Sequence, residues 1–128
     1  MTWTHKFVCL SDSSQEDIPV VSEKHKLKCA GLGERKIVFR LDGKYADIKE
    51  TLLPAYPTLE KGGGFELMRT AGPYSKHLTP IDAKFTSSVA SLKQFIDQAR
   101  IYIRPIQADL PLEEEDNDND KGKSVGLD

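Results

Sequence analysis

Two segments with strict strand alternation, and a helical segment between them, most constrain the fold of this chain. RKIVFRL (35–41) and ARIYIRPI (99–106) each alternate side chains between two faces, as half-buried strands do. KYADIKETLL (44–53) instead repeats its apolar residues every three to four positions, which is typical of a helix. One amphipathic helix must then cover one face of a sheet, and this predicts an α+β domain.

The remaining elements are shorter. We predict strands at HKFVCL, FELMR and HLTPID and a helix at SVASLKQFI, which are residues 5–10, 65–69, 77–82 and 88–96. Pro80 places the strand at 77–82 on a sheet edge, because proline cannot donate to a hydrogen-bond ladder. The triple glycine at 62–64 precedes a strand rather than a helix, so it predicts a turn with positive φ angles and not a phosphate loop.

Residues 22–30, SEKHKLKCA, allow two assignments. A short helix is favoured, with Ser22 as its N-cap and with Gly31 and Leu32 forming its C-terminal cap. A strand over residues 25–30 is the alternative, because the segment is short for a helix.

This order of elements is that of a ubiquitin-like β-grasp roll. We therefore predict a mixed sheet of this type packed on one main helix, with an extra N-terminal segment. In that fold the final strand lies beside the first at the sheet centre, a position that the apolar run at 99–106 suits. The first hairpin uses either residues 5–10, with a long insertion behind them, or the segment around Leu27.

Charge is divided unevenly along the chain. The net charge of all 128 residues is −2, but residues 108–128 contain eight acids and two lysines, and residues 1–107 contain 16 bases and 12 acids. The C-terminal segment has almost no apolar residues to bury, so we predict an interaction domain over 1–107 and a disordered acidic tail over 108–128. Such a tail serves solubility, binds a basic partner or folds back on the positive body.

The cellular setting follows from what the composition excludes. No apolar run approaches the length of about 20 residues that spans a bilayer. The N-terminus has no basic region followed by an apolar stretch, and two cysteines are too few for a disulfide scaffold. We expect an intracellular protein of the cytoplasm or nucleus.

Several strings in the sequence resemble a module of multidomain animal proteins, notably of fish and marine invertebrates. These strings are FVCLSDSSQEDIP, SEKHKLKCAGLGERKI, LLPAYPTLEKGGGFELMR and ARIYIRPIQADL, and the similarity covers about residues 5–112. In many of those proteins a HECT-type ubiquitin ligase domain lies downstream. The resemblance implies a ubiquitin-like accessory module that works in the ubiquitin pathway.

Ligase activity is not implied by this resemblance. A HECT domain is several hundred residues long and has its thioester cysteine near its C-terminus, and the residues after Asp109 are too few to form one. Neither Cys9 nor Cys29 corresponds to that nucleophile. The resemblance therefore implies a docking module that is not an enzyme.

A docking surface is expected on the open face of the sheet, where ubiquitin-like domains bind partners. Arginine, tyrosine and methionine are enriched at the energetic centres of protein interfaces. Residues of these types in the predicted strands are Arg40, Met68, Arg69, Tyr102 and Arg104. We predict that they bind a protein partner, a component of the ubiquitin system.

Histidine and cysteine recur with a spacing of four residues. His5 precedes Cys9 and His25 precedes Cys29, so two pairs could supply the four ligands of a zinc ion. Buried cysteine is the plainer interpretation, because Cys9 lies in an apolar run and zinc sites usually contain closer pairs. No metal or other cofactor is therefore predicted. Catalysis by Cys9 or Cys29 with His77 lacks a third, orienting residue.

Two other motifs have binding interpretations. The segment EDIPVV (16–21) resembles a SUMO-interacting motif, which adds a strand to a sheet edge, but a loop with its apolar residues against the core is favoured. A basic cluster could contact phosphates, but it contains no aromatic residue and a solvated face is favoured. The cluster comprises Lys24, His25, Lys26, Lys28, Arg35 and Lys36.

The sequence thus predicts a protein-interaction module of the ubiquitin pathway. One alternative is a transposon-associated accessory protein that contacts DNA or a DNA-bound partner, and another is a small zinc-binding domain. No membrane interaction is expected, nucleic acid is the less favoured partner, and the sequence contains no signal for an oligomeric state.

Overall fold

The computed structural model describes residues 1–72 and 74–112, and within them five strands form one mixed sheet. The strands are β1 (Thr2–Cys9), β2 (Gly33–Arg40), β3 (Phe65–Thr70), β4 (Leu78–Pro80) and β5 (Ile101–Pro105). The helices are α1 (Val21–Cys29), α2 (Tyr45–Ala55) and α3 (Val89–Ile96), with 3₁₀ turns at Pro57–Gly62 and Ala83–Phe85. The prediction of an α+β domain is confirmed.

The strand order in the sheet is β2-β1-β5-β3-β4. β5 is central, parallel to β1 and antiparallel to β3. β1 pairs with β2 along its whole length, from Thr2 opposite Arg40 to Cys9 opposite Gly33. The first hairpin therefore uses HKFVCL with a long insertion, and α1 lies in that insertion. The expected edge position of Pro80 in β4 is confirmed.

The N-terminal end of α1 differs from the prediction. The segment is a helix rather than a strand, but Ser22 is not its N-cap. Val20 occupies that position, and its backbone N–H donates a 2.9 Å hydrogen bond to the Glu23 carboxylate. The acid three residues into the helix supplies the acceptor that the serine was expected to supply.

The C-terminal end of α1 is capped as predicted. Gly31 has a φ of +81°, and its N–H donates to the carbonyl oxygen of Lys28 at 3.1 Å. The Leu32 N–H donates to the Leu27 carbonyl oxygen at 2.8 Å, which completes the pattern of a glycine-terminated helix. Leu27 and Leu32 are both buried, so apolar contacts accompany the cap at the point where the chain turns and enters β2.

The core lies between one face of the sheet and the helices α2 and α3. Fully buried side chains of this layer include Phe7, Ile101, Ile103, Ile48, Leu52 and Leu92. Gly62 also belongs to this packing, because a Cβ there would lie 2.7 Å from the Cβ of Pro105. None of the helices in the described ranges has the length and apolar composition that a membrane span requires.

The folded body continues past residue 107, where the sequence placed its boundary. Leu110 is buried, and its N–H donates a 2.7 Å hydrogen bond to the carbonyl oxygen of Ser11. The Asp109 carboxylate accepts from both the N–H and the hydroxyl of Ser13, each at 2.8 Å. Leu112 also packs against the core, so the short run ADLPL at 108–112 belongs to the folded body and not to the acidic stretch that follows it. The prediction of a disordered tail falls mainly on residues 113–128, outside the described residues.

Candidate docking surface

The sheet face opposite α2, here called the outer face, is the surface on which the sequence placed the partner site. One row of paired residues crosses all five strands on this face: Glu34, Val8, Tyr102, Met68 and Pro80. Directly paired residues lie on the same face of a sheet, so this row fixes the orientation of every other side chain. The half of the face formed by β5, β3 and β4 differs in exposure from the half formed by β1 and β2.

The half formed by β5, β3 and β4 is buried at its centre, although Pro80 at the sheet edge is exposed. Tyr102 is 8% exposed and Met68 is 1% exposed. Arg104, on the same face, donates a 2.7 Å hydrogen bond from Nη1 to the carbonyl oxygen of Gln15. Its Nη2 lies 2.7 Å from Oε2 of Glu66. Residues 11–19, here called the covering segment, thus contact this half of the outer face through Gln15.

The covering segment also pairs with the exposed edge of the sheet. The Leu78 N–H donates to the Glu16 carbonyl oxygen at 2.7 Å, and the Ile18 N–H donates to the Lys76 carbonyl oxygen at 2.8 Å. Asp17 lies opposite His77, and their side chains approach to 3.3 Å. The EDIPVV motif is therefore paired with its own chain, with Ile18 against the core and Pro19 buried.

Arg69 lies on the other face of the sheet from Met68, because successive strand residues point in opposite directions. Its Cζ lies 5.1 Å from the ring centroid of Phe95, and Nη1 donates to the Thr70 carbonyl oxygen at 3.1 Å. The structure therefore does not bring the five predicted contact residues together on one exposed surface. Of the five, Arg40 alone is exposed, and it pairs with Asp42 at 2.9 Å.

The half of the outer face formed by β1 and β2 is rich in cations and is exposed except at Val8, which is buried. Lys6 lies directly opposite Lys36, and Thr4 lies opposite Val38, whose side chain is 54% exposed. Arg100 comes immediately before β5 and shares the face with Tyr102, two residues later. We call Thr4, Lys6, Lys36, Val38, Arg40 and Arg100 the basic half of the outer face.

The charges on the basic half are only partly neutralised. Glu34 pairs with Arg100 at 2.8 Å and lies 4.0 Å from Lys6. Within the described part of the chain Lys36 has no ion-pair partner, although it faces another lysine. Like charges directly opposite each other on a sheet are unfavourable, so an anion bound between these lysines would remove a repulsion. A depression of about 370 Å³ lies here, lined by Thr4, His5, Lys6, Lys36, Gln98 and Arg100.

The other predicted basic residues do not all join this surface. Arg35 points to the α2 side, where its guanidinium donates to the carbonyl oxygens of Ala55 and Gly31. Lys24, Lys26 and Lys28 are exposed on α1. Lys6 and Arg100 were missed, because only the pairing of β1 with β2 and β5 reveals that they lie near Lys36. The HK and RK dipeptides before the apolar runs would have located Lys6 and Lys36 once that register was known.

The two His/Cys pairs are not brought into one metal site. His5 is largely buried and its Nε2 lies 2.6 Å from the carbonyl oxygen of Ala99, so it bonds to the backbone. His25 and Cys29 lie on one face of α1, with Nε2 and Sγ 3.6 Å apart. In residues 1–72 and 74–112, no group of three or more histidine, cysteine or acidic side chains could hold a metal ion.

The cysteines also lack the surroundings of a nucleophile paired with His77. Burial raises the pKa of the Cys9 thiol to about 12, and the nearby Arg35 charge opposes this only in part. Cys29 is exposed and contacts His25, whereas His77 contacts Asp17. Neither cysteine is therefore paired with His77.

Comparison of this chain with protein-family models, with curated proteins and with solved structures finds no match.

Proposed function

We propose that this chain is a non-catalytic docking module of the β-grasp type, working in the ubiquitin pathway, and that its partner binds the basic half of the outer face. The sheet order β2-β1-β5-β3-β4 and the parallel pairing of the first and last strands support the β-grasp assignment. The helix α2 follows the first hairpin, as that fold requires, and α1 is an insertion within the hairpin.

The observation on which the proposal mainly rests is the contrast between the two halves of the outer face. Tyr102 and Met68 are buried on the half that the covering segment contacts through Arg104, whereas Lys6, Lys36 and Val38 face solvent. A partner that reaches the sheet therefore meets lysine, arginine and threonine side chains around one exposed valine, with a depression beside the facing lysines. An acidic protein surface complements it, and charge complementarity of this kind gives specificity and fast association.

The link to ubiquitin comes from the sequence resemblance. The strings that carry it include AGLGERKI at 30–37, which leads into β2, and YIRPIQADL at 102–110, which spans β5 and the contacts of Leu110. Both strings therefore include residues of the sheet, and the second also includes Leu110, which bonds to Ser11. The partner we propose is accordingly a ubiquitin-system protein with an acidic surface.

A binding experiment with matched charge reversals tests this function. Immobilised full chain is incubated with purified ubiquitin, a ubiquitin-conjugating enzyme and a HECT ligase domain. We expect one of them to bind the wild type and to be lost from the Lys6→Glu/Lys36→Glu variant. The Lys49→Glu/Lys61→Glu variant has the same charge change at exposed positions off the sheet and should bind normally. Equal binding by all three chains would place the site elsewhere, and no binding would remove the ubiquitin link.

A second candidate function, contact with DNA, is favoured by the facing pair Lys6 and Lys36 beside Arg100. These cations could neutralise phosphates, but the neighbouring pair on this face is Thr4 and Val38, which offers no ring for base stacking. Sequence-independent binding should weaken steeply with salt, with a logarithmic slope of about −3 if three phosphates are contacted. A slope near zero, or no retention on duplex DNA, would exclude this function.

A further inference from the structure

We infer that the acidic segment of residues 113–120 docks on the basic half of the outer face of its own chain and competes there with acidic partners. The regulatory consequence rests on the proposed function, whereas the docking itself can be tested without any partner. The inference combines the position of the last described residues, the charge of the two segments and the distance between them.

The starting point of the acidic segment is fixed by the contacts of the preceding residues. Leu110 bonds to Ser11, and Asp109 bonds to Ser13. Ser11 lies two residues beyond the end of β1, so Leu112, the last described residue, is near the C-terminal end of that strand. Lys6 lies on the same strand, five residues before Ser11.

The segment is long enough to reach the cations. At about 3.3 Å per residue, Lys6 lies about 17 Å from Ser11 along β1, and Thr2, opposite Arg40, lies about 30 Å away. Eight extended residues span about 26 Å. The run 113–120 is therefore long enough to pass Lys6, although it ends a few ångströms short of Arg40.

The charges of the two segments are complementary. Residues 113–120 read EEEDNDND and contain six acids and no base. The described body contains 16 Lys and Arg against 13 Asp and Glu. Lys36 has no ion-pair partner among the described residues and faces Lys6, so the basic half offers unneutralised positive charge on the outer face. A tethered segment meets it at an effective concentration of the order of millimolar, at which weak contacts become populated.

The lysines of α1 are the competing site for an acidic segment. Lys24, Lys26 and Lys28 are exposed on α1, whereas a depression of about 370 Å³ lies beside Lys6 and Lys36. Binding of an anion should be more favourable at the facing pair Lys6 and Lys36 than at the lysines of α1, because it also relieves the repulsion between the two facing lysines. We therefore assign the segment to the sheet rather than to the helix.

The test compares the wild-type full chain with a variant in which six acids are neutralised: Glu113→Gln, Glu114→Gln, Glu115→Gln, Asp116→Asn, Asp118→Asn and Asp120→Asn. Backbone amide shifts are measured at about 20 mM and about 500 mM salt, which differ several-fold in screening length. We expect differences at Lys6, Lys36 and Val38 at low salt that disappear at high salt. No difference at these amides, or a difference confined to Lys24, Lys26 and Lys28, would overturn the inference.

Competition gives a second, quantitative readout. A synthetic peptide of residues 112–120 should bind the neutralised variant roughly threefold to tenfold more tightly than the wild type, because the wild-type site is already partly occupied. Adding Lys6→Glu and Lys36→Glu to the neutralised chain should abolish the binding, whereas adding Lys49→Glu and Lys61→Glu should not. Equal affinities of the peptide for the wild type and the neutralised variant would contradict docking, whatever the outcome with ubiquitin-system proteins.

Discussion

The Tyr56 hydroxyl donates a 2.7 Å hydrogen bond to the carbonyl oxygen of Gly33, at the start of β2. Tyr56 follows the last residue of α2 and is fully buried, and its hydroxyl also lies 3.3 Å from the Phe7 carbonyl oxygen. Burial accordingly raises the pKa of Tyr56. One side chain thus joins the end of the main helix to both strands of the first hairpin, which hold most of the basic half.

Replacing Tyr56 with phenylalanine should lower the free energy of unfolding by about 1 to 2 kcal/mol, because it leaves buried carbonyl oxygens without their donor. Chemical denaturation of the variant measures this loss. Tyr45→Phe is the control, since Tyr45 is 44% exposed and should change stability by less than about 0.5 kcal/mol. Equal effects of the two substitutions would show that the Tyr56 hydroxyl is not a structural link.

Arg104 and Arg40 were both predicted to bind the partner. Because only Arg104 bonds to the covering segment, we expect the two residues to differ in their contribution to the free energy of unfolding. Arg104→Ala removes the bonds to Glu66 and Gln15 and should cost about 1 to 3 kcal/mol, because these groups are largely shielded from water. Arg40→Ala removes an ion pair whose side chains are 80% and 70% exposed, and should cost less than about 1 kcal/mol. Thermal unfolding of both variants gives the comparison.

Amide hydrogen exchange locates the effect of Arg104. If that residue holds the covering segment, the Ile18 and Leu78 amides should exchange faster in Arg104→Ala than in the wild type. The reason is that the Ile18 N–H bonds to the Lys76 carbonyl oxygen and the Leu78 N–H bonds to the Glu16 carbonyl oxygen. Unchanged exchange at both amides would mean that the segment is held without Arg104.

The two cysteines should differ sharply in reactivity. Cys9 is buried with a raised pKa, and thiolate is the reactive form, so it should resist alkylation in the native protein. Cys29 is exposed and should be modified. Mass spectrometry after brief iodoacetamide treatment distinguishes them, with the denatured chain as the control for full labelling. Rapid modification of native Cys9 would contradict the placement of β1 in the core.

His5 predicts a loss of stability in mild acid. Burial lowers its pKa from the ordinary value of 6.5, while the hydrogen bond to Ala99 opposes the shift. The unfolded state therefore binds the proton more readily. The contribution of His5 to stability is complete above pH 6.5 and is lost as the pH falls through the lowered folded pKa.

The variant His5→Phe should lack this part of the pH dependence, and His25→Gln, at an exposed position of α1, should retain it. Denaturation midpoints between about pH 7 and pH 5 provide the measurement. If His5→Phe and the wild type lose stability in parallel over this range, another group is responsible.

Sequence periodicity was sufficient for the elements and for the central position of β5, because Ile101 and Ile103 alternate with Tyr102 and Arg104 over an apolar run. Periodicity was not sufficient to predict which side chains of the outer face are exposed. Tyr102 and Met68 lie on the predicted face but are buried, and the polar segment 11–19 bonds to that half through backbone groups that have no compositional signal.

The position of Arg69 shows a second limit of the sequence. Phe65, Leu67 and Arg69 share a face by alternation, but FELMR is apolar at three of five positions and does not indicate which face is buried. The pairing of Met68 with Tyr102 decides it. Likewise, the pair Lys6 and Lys36 arises from the register of strands separated by a long insertion, which no local pattern specifies.

The central claim is that partners dock on the basic half and not on the covered half. Its most direct test is an amide-shift titration of the labelled full chain with a purified HECT ligase domain, with ubiquitin titrated in parallel. The largest shifts should fall on Lys6, Lys36, Val38 and Arg100 and should vanish in Lys6→Glu/Lys36→Glu. Shifts centred on Met68, Tyr102 and Arg104 would contradict the claim, because a partner there must first displace the covering segment.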